Sequence, residues 1–77
     1  MDWAHVAGSN IKTFRTALGL SQEELAFRAN IDVKYLRQIE QGSRNPSLSK
    51  LISIASALNV GLPELFHWER SPSTTST

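Results

Sequence analysis

Between Ser21 and Gly42 the chain reads SQEELAFRANIDVKYLRQIEQG, and Val33, Lys34, Tyr35, Arg37 and Gln38 within it are of the types that touch base edges. Lys34 and Arg37 are suited to donating to guanine O6 and N7, Gln38 to pairing with adenine through both ends of its amide, and Val33 to meeting a thymine methyl. Each good bidentate pair of this kind contributes roughly 1–3 kcal/mol of discrimination. The same residues also describe an ordinary solvated face of an amphipathic helix, so side-chain type alone leaves both readings open. A second group has the chemistry of phosphate contact. Gln22 falls in the first turn of a helix, where free N–H groups and the positive end of the dipole can face an anion. Gln41, Arg44, Asn45, Ser47 and Lys50 lie at the end of the reading segment or just beyond it, placed to clamp a neighbouring backbone, with Arg44 the leading candidate.

Little else in the chain could do chemistry. There is no cysteine, and His5 and His67 are far apart without a third ligand, so neither a metal nor another cofactor is expected. No serine sits in a Gly-x-Ser-x-Gly elbow, and no catalytic residues are assigned; the expectation is that the protein is not an enzyme. Asn45-Pro46-Ser47 resembles a glycosylation sequon, but the central proline excludes it.

The elements that must position these residues can be read locally. Ser21 is an N-cap and Glu24 completes a capping box, which starts a helix at Gln22 with Leu25, Ala26 and Ala29 on its buried side. Asn30 is suited to the left-handed conformation that ends a helix, and Asp32 caps the next. That second helix, 33–41, turns Leu36 and Ile39 inward and its polar side chains outward. Upstream, Ile11, Phe14 and Leu18 fall at helical spacing in a first helix over about residues 2–18, closed by Gly19. Gly8-Ser9-Asn10 is a poor helix interior and is also suited to be a cap, so two openings stand: a helix from about residue 2, or a later start that leaves residues 1–8 as a looser arm, with Trp3 as a packing residue or a dimer contact. Downstream, Pro46 breaks the chain and Ser47 caps a core helix carrying Leu48, Leu51, Ile52, Ala55 and Leu58. A short fifth helix opens at Leu62-Pro63 with Leu65 and Phe66 on its apolar side. The fold expected is an all-α, compact five-helix bundle containing a helix-turn-helix, with residues 1–70 as one domain and 71–77, SPSTTST, as a disordered tail.

A chain of 77 residues buries only about 60% of its unfolded surface, so dimerisation would help it. Large apolar groups at Leu65, Phe66 and Trp68 exceed what a short terminal helix usually hides and are candidates for a two-fold interface. A formal charge of +1 does not identify a nucleic-acid binder, so the placement of charges has to carry that reading. No signal peptide pattern or membrane-spanning apolar run is present, which suits a soluble cytoplasmic protein with no membrane partner.

The order of helix one, SQEELA, a short turn, DVKYLRQIEQG, RNPS and LISIASALNVGLPELF resembles the Cro/C1-type, or XRE-family, DNA-binding domain over about Ile11 to Phe66. DVKYLRQIEQGSRNPS is similar in particular to the controller proteins of restriction-modification systems. Asn30 stands where the family often has glycine, and Val33 where it often has a base-contacting polar residue. The resemblance implies a lambda-repressor-like fold and a prokaryotic or phage regulator, a repressor or controller protein at the nucleoid. That regulator would bind a pseudo-palindromic double-stranded DNA operator as a homodimer, with helix 33–41 in the major groove. It further implies a phosphate contact by Gln22, a partly buried ion pair between Arg15 and Glu40, dimerisation through the last helix, and in some settings contact with RNA polymerase. The rivals are an antitoxin-type subunit with secondary DNA binding and a protein-interaction helical domain.

Overall fold

The computed structural model describes residues 2–68. Four α-helices, α1 (Trp3–Ala17), α2 (Gln22–Ala29), α3 (Val33–Gln41) and α4 (Leu48–Leu58), are followed by a 3₁₀ helix, Leu62–Phe66. The fifth element is thus a short 3₁₀ helix rather than an α-helix: Pro63 lies in its first turn and Glu64 reaches back to accept from the Gly61 N–H at 2.9 Å. The tail over 71–77 lies outside the described residues.

Side chains within four residues of each helix end set the boundaries. Ser21 Oγ accepts from the Glu24 N–H at 3.0 Å and Glu24 Oε1 from the Ser21 N–H at 2.7 Å, a reciprocal box. Asp32 caps α3 through the Lys34 N–H at 2.7 Å, and Ser47 caps α4 through the Lys50 N–H at 3.3 Å. Asn30 takes φ 58° and ψ 47°, so the chain leaves α2 in the left-handed region and re-enters a helix at Val33.

Of the two openings, the structure takes the earlier: among the described residues there is no looser arm, and α1 runs unbroken from Trp3. Asp2 Oδ1 accepts from the Ala4 N–H at 3.1 Å to start it, and Ala4 and Ala7 are buried. Gly8 and Asn10, unpromising as helix formers, each have a tertiary reason. A Cβ on Gly8 would collide with the Ile39 carbonyl oxygen, so the missing side chain lets α1 lie directly against the backbone of α3. Asn10 Nδ2 donates to both the Leu65 and His67 carbonyls at 2.8 Å, tying the C-terminal segment to α1.

The core is built from Ala7 and Ile11 of α1, Leu25, Ala26 and Ala29 of α2, Leu36 and Ile39 of α3, the buried arc Leu51, Ile54, Ala55 and Leu58 of α4, and Leu65. Two apolar stripes differ from expectation. On α4, Leu48 and Ile52 face solvent, and Ile54, three residues beyond Leu51, takes the inward place. At the end of α1, Leu18 is exposed, because the Gly19 turn at φ 72° redirects the chain and brings Leu20 inside instead. Among the described residues no helix is long and apolar enough to cross a membrane.

Candidate nucleic-acid interface

Helix α3 is held from beneath and offers its other side outward. Leu36 and Ile39 are fully buried, while Lys34, Arg37 and Gln41 are exposed, and Val33, Tyr35 and Gln38 are half-buried. Val33 and Tyr35 rest against the core cluster, so both owe part of their identity to packing. The loop after α3 curls back over it. The Arg44 guanidinium lies 4.8 Å from the centre of the Tyr35 ring, and its Nη1 donates to Gln38 Oε1 at 2.9 Å. Stacked on the ring and hydrogen-bonded to the amide, Arg44 has a defined place beside α3 although it is exposed. Asn45, Ser47 and Lys50 are exposed along the same loop and the start of α4, and Tyr35, Arg44 and Lys50 line a shared depression with Asp32. Lys34, Arg37, Arg44 and Lys50 thus set cations on and beside α3, with Asp32 and Glu23 as their nearby acidic neighbours.

Beneath this face runs a polar chain that crosses three helices. Arg15 Nε and Nη2 donate to Glu40 Oε2 and Oε1 at 2.7 and 3.0 Å, with the side chains only 11% and 3% exposed. Arg15 Nη1 also donates to the Leu20 carbonyl at 2.8 Å, so this pair is satisfied inside the fold. Gln22 Nε2 donates to Glu40 Oε1 at 3.0 Å, and Gln22 Oε1 accepts from Arg37 Nε at 3.2 Å. Arg37 Nη2 also stands 3.6 Å from Glu23 Oε2. Sequence reasoning gave Gln22 a phosphate contact and did not link it to Arg37. Residues 15 positions apart, as Gln22 and Arg37 are, share no periodicity that could have revealed the link.

Glu24 titrates below the usual carboxylate range, first because it accepts from the Ser21 backbone and then because it accepts from the Ser21 hydroxyl. It stabilises the end of α2 that carries Gln22 and Glu23.

At the opposite end of the chain, one expected contact needs correction. Leu65 is fully buried in this chain's own core and cannot meet a partner. Phe66 and Trp68 are exposed, and Trp3 joins them: its ring lies 6.1 Å from that of Phe66, tilted by 49°. With Val6 they line a shallow apolar cleft of about 210 Å³ built from both ends of the described chain. No cluster of metal-ligating side chains occurs among the described residues.

Comparison with known proteins agrees with this geometry. Residues 11–65 match the helix-turn-helix family HTH_3. The chain is 40% identical over 65 residues to an HTH-type transcriptional regulator, y4dJ, of Sinorhizobium fredii, covering 84% of each. It is 37% identical to the control protein C.SmaI of Serratia marcescens, over 84% of this chain and 77% of that one. The crystal structure of the restriction-modification controller protein C.AhdI from Aeromonas hydrophila superposes with a TM-score of 0.79 at 41% identity, covering 82% of this chain and 96% of the other.

Proposed function

We propose, from the premise that this chain belongs to the Cro/C1-type (XRE) helix-turn-helix family of DNA-binding transcriptional regulators, that it binds a pseudo-palindromic operator as a homodimer. The observation that carries the reading is α3 itself: buried along Leu36 and Ile39, it keeps Lys34, Arg37 and Gln38 on the opposite side, open to a partner. In a major groove, the N-terminal half of such a helix reaches base edges first, so Lys34, Arg37 and Gln38 read hydrogen-bonding edges and Val33 and Tyr35 supply apolar contact. Gln22, Gln41, Arg44, Asn45, Ser47 and Lys50 contact the flanking phosphates and fix the register.

Trp3, Phe66 and Trp68 form the contact with a second copy. Pairing through this patch covers exposed aromatic surface and gives two reading helices, which occupy half-sites about one helical turn, roughly 34–36 Å, apart. Bound at a promoter in the cytoplasm, the dimer represses by occlusion or activates through contact with RNA polymerase.

In vitro selection of bound duplexes followed by footprinting tests the proposal. The expected product is an inverted repeat protected over both half-sites; equal affinity for every duplex overturns it. Introducing Trp3→Lys together with Phe66→Lys should convert a dimer to a monomer in sedimentation and leave half-site contact behind.

A further inference from the structure

The Arg37 side chain is exposed, yet it is not disposed like an untethered surface arginine. Its Nε is bound to Gln22 Oε1 at 3.2 Å and its Nη2 faces Glu23 at 3.6 Å. Gln22 in turn is fixed by Glu40, and Glu40 by Arg15 in the interior. Arg37 and Glu40 are three apart on α3 and share one side of it, so the first residue of α2 bridges both. The bridge has one sense. A carboxylate only accepts and a guanidinium only donates, so the Gln22 amide must turn its nitrogen to Glu40 and its oxygen to Arg37.

We infer that Gln22 is a positioning residue for base readout: by relaying the buried Arg15–Glu40 pair to Arg37, it determines which base Arg37 prefers. With Nε and the Nη2 side turned toward α2, the Nη1 end of the guanidinium is left to approach a base edge. A guanidinium held in one attitude favours one base-pair pattern, whereas a freely rotating one accommodates several. The second proton on Gln22 Nε2 remains for a phosphate, so positioning and phosphate contact are separate duties of one amide. This inference rests on the proposal that Arg37 reads a base.

The test uses the full chain and the duplexes recovered by selection, each varied to all four base pairs at every position of one half-site. Arg37→Ala first identifies the base pair at which preference depends on Arg37. Gln22→Met, which keeps the length of the side chain but neither donates nor accepts comparably, should then reduce preference at that same base pair by about fivefold or more, the lower end of what a good bidentate contact supplies. Preference elsewhere should be retained, on top of a uniform loss of affinity from the missing phosphate contact. Gln22→Ala should give the same signature at one position, which guards against an odd packing of the methionine. If both variants weaken every duplex alike and leave preference at that position intact, Gln22 is a phosphate contact alone and the inference is overturned. If Arg37→Ala changes no preference at all, the base-reading assignment itself fails and this inference falls with it.

Discussion

Two ion pairs sit three residues apart on α3, and they behave as opposites. Arg15–Glu40 is closed at 2.7 Å with its side chains 11% and 3% exposed; Arg37–Glu23 is open at 3.6 Å with its side chains 48% and 69% exposed. The first cannot exchange its partner for water or DNA without stranding a charge inside the fold, so it fixes where α3 lies. The second is worth little in water, and its arginine can exchange Glu23 for a phosphate or a base at small cost while its Nε stays on Gln22. Burial therefore divides α3 into a part that sets geometry and a part that trades contacts, using the same two charge types.

Breaking the buried pair should have the largest effect. Glu40→Ala leaves the Arg15 guanidinium without its carboxylate and is expected to cost about 3–5 kcal/mol in denaturant unfolding. Replacing both partners by apolar residues, Arg15→Met with Glu40→Leu, should recover most of that stability, since the desolvation cost vanishes with the charges. Operator preference should not recover with it, because Gln22 has lost its acceptor. A double variant that regained both stability and preference would show that the pair serves only to hold the fold.

The exposed side of the comparison has smaller effects. Arg44→Ala should leave stability within about 1 kcal/mol, weaken binding to duplexes of any sequence, and lower the slope of log affinity against log salt by about one. A loss confined to one base pair would move Arg44 from phosphate contact to base readout through Gln38. Glu23→Gln should change stability by less than about 1 kcal/mol and raise duplex affinity at low salt, because it removes a negative charge from beside Arg37.

The smallest expected effect is that of Glu24. Its folded pKa lies below its unfolded one, so the folded state binds fewer protons there; the contribution is fully present above the unfolded carboxylate range and is lost as pH falls through the depressed folded value. Glu24→Gln retains a capping side chain without the titration, so acid unfolding of this variant should be slightly less steep over that window, as followed by helical circular dichroism.

What was legible in the sequence is what acts over a few residues. Ser21 with Glu24, Asp32, Asn30 and Ser47 mark helix ends by contacts at most four residues long, and all of these act as caps in the structure. The inward seam of α3 also follows from spacing alone. Failures arose where a distant element decides. Helix propensity argued against Gly8 and Asn10, but close backbone approach to α3 and a clamp on the C-terminal carbonyls override it. The α4 spacing placed Leu48 and Ile52 inward, and only the packed bundle turns them out and brings Ile54 in. Leu65 looked available because a short terminal helix seemed unable to hide it, yet it is fully buried in the core. Of the interface, residue types and their order were readable, whereas the stacking of Arg44 on Tyr35 and the bridge through Gln22 join separate elements and were not.

The bare main-chain contact at Gly8 has a consequence for how such a molecule can diversify. Because α1 seats α3 at Gly8 against the Ile39 carbonyl with no side chain between them, this seat does not involve the outer positions of the rod. New letters at Lys34 can therefore be tried on an unchanged mount, while Gln38 must be revised together with Arg44 and Arg37 together with its tether on α2.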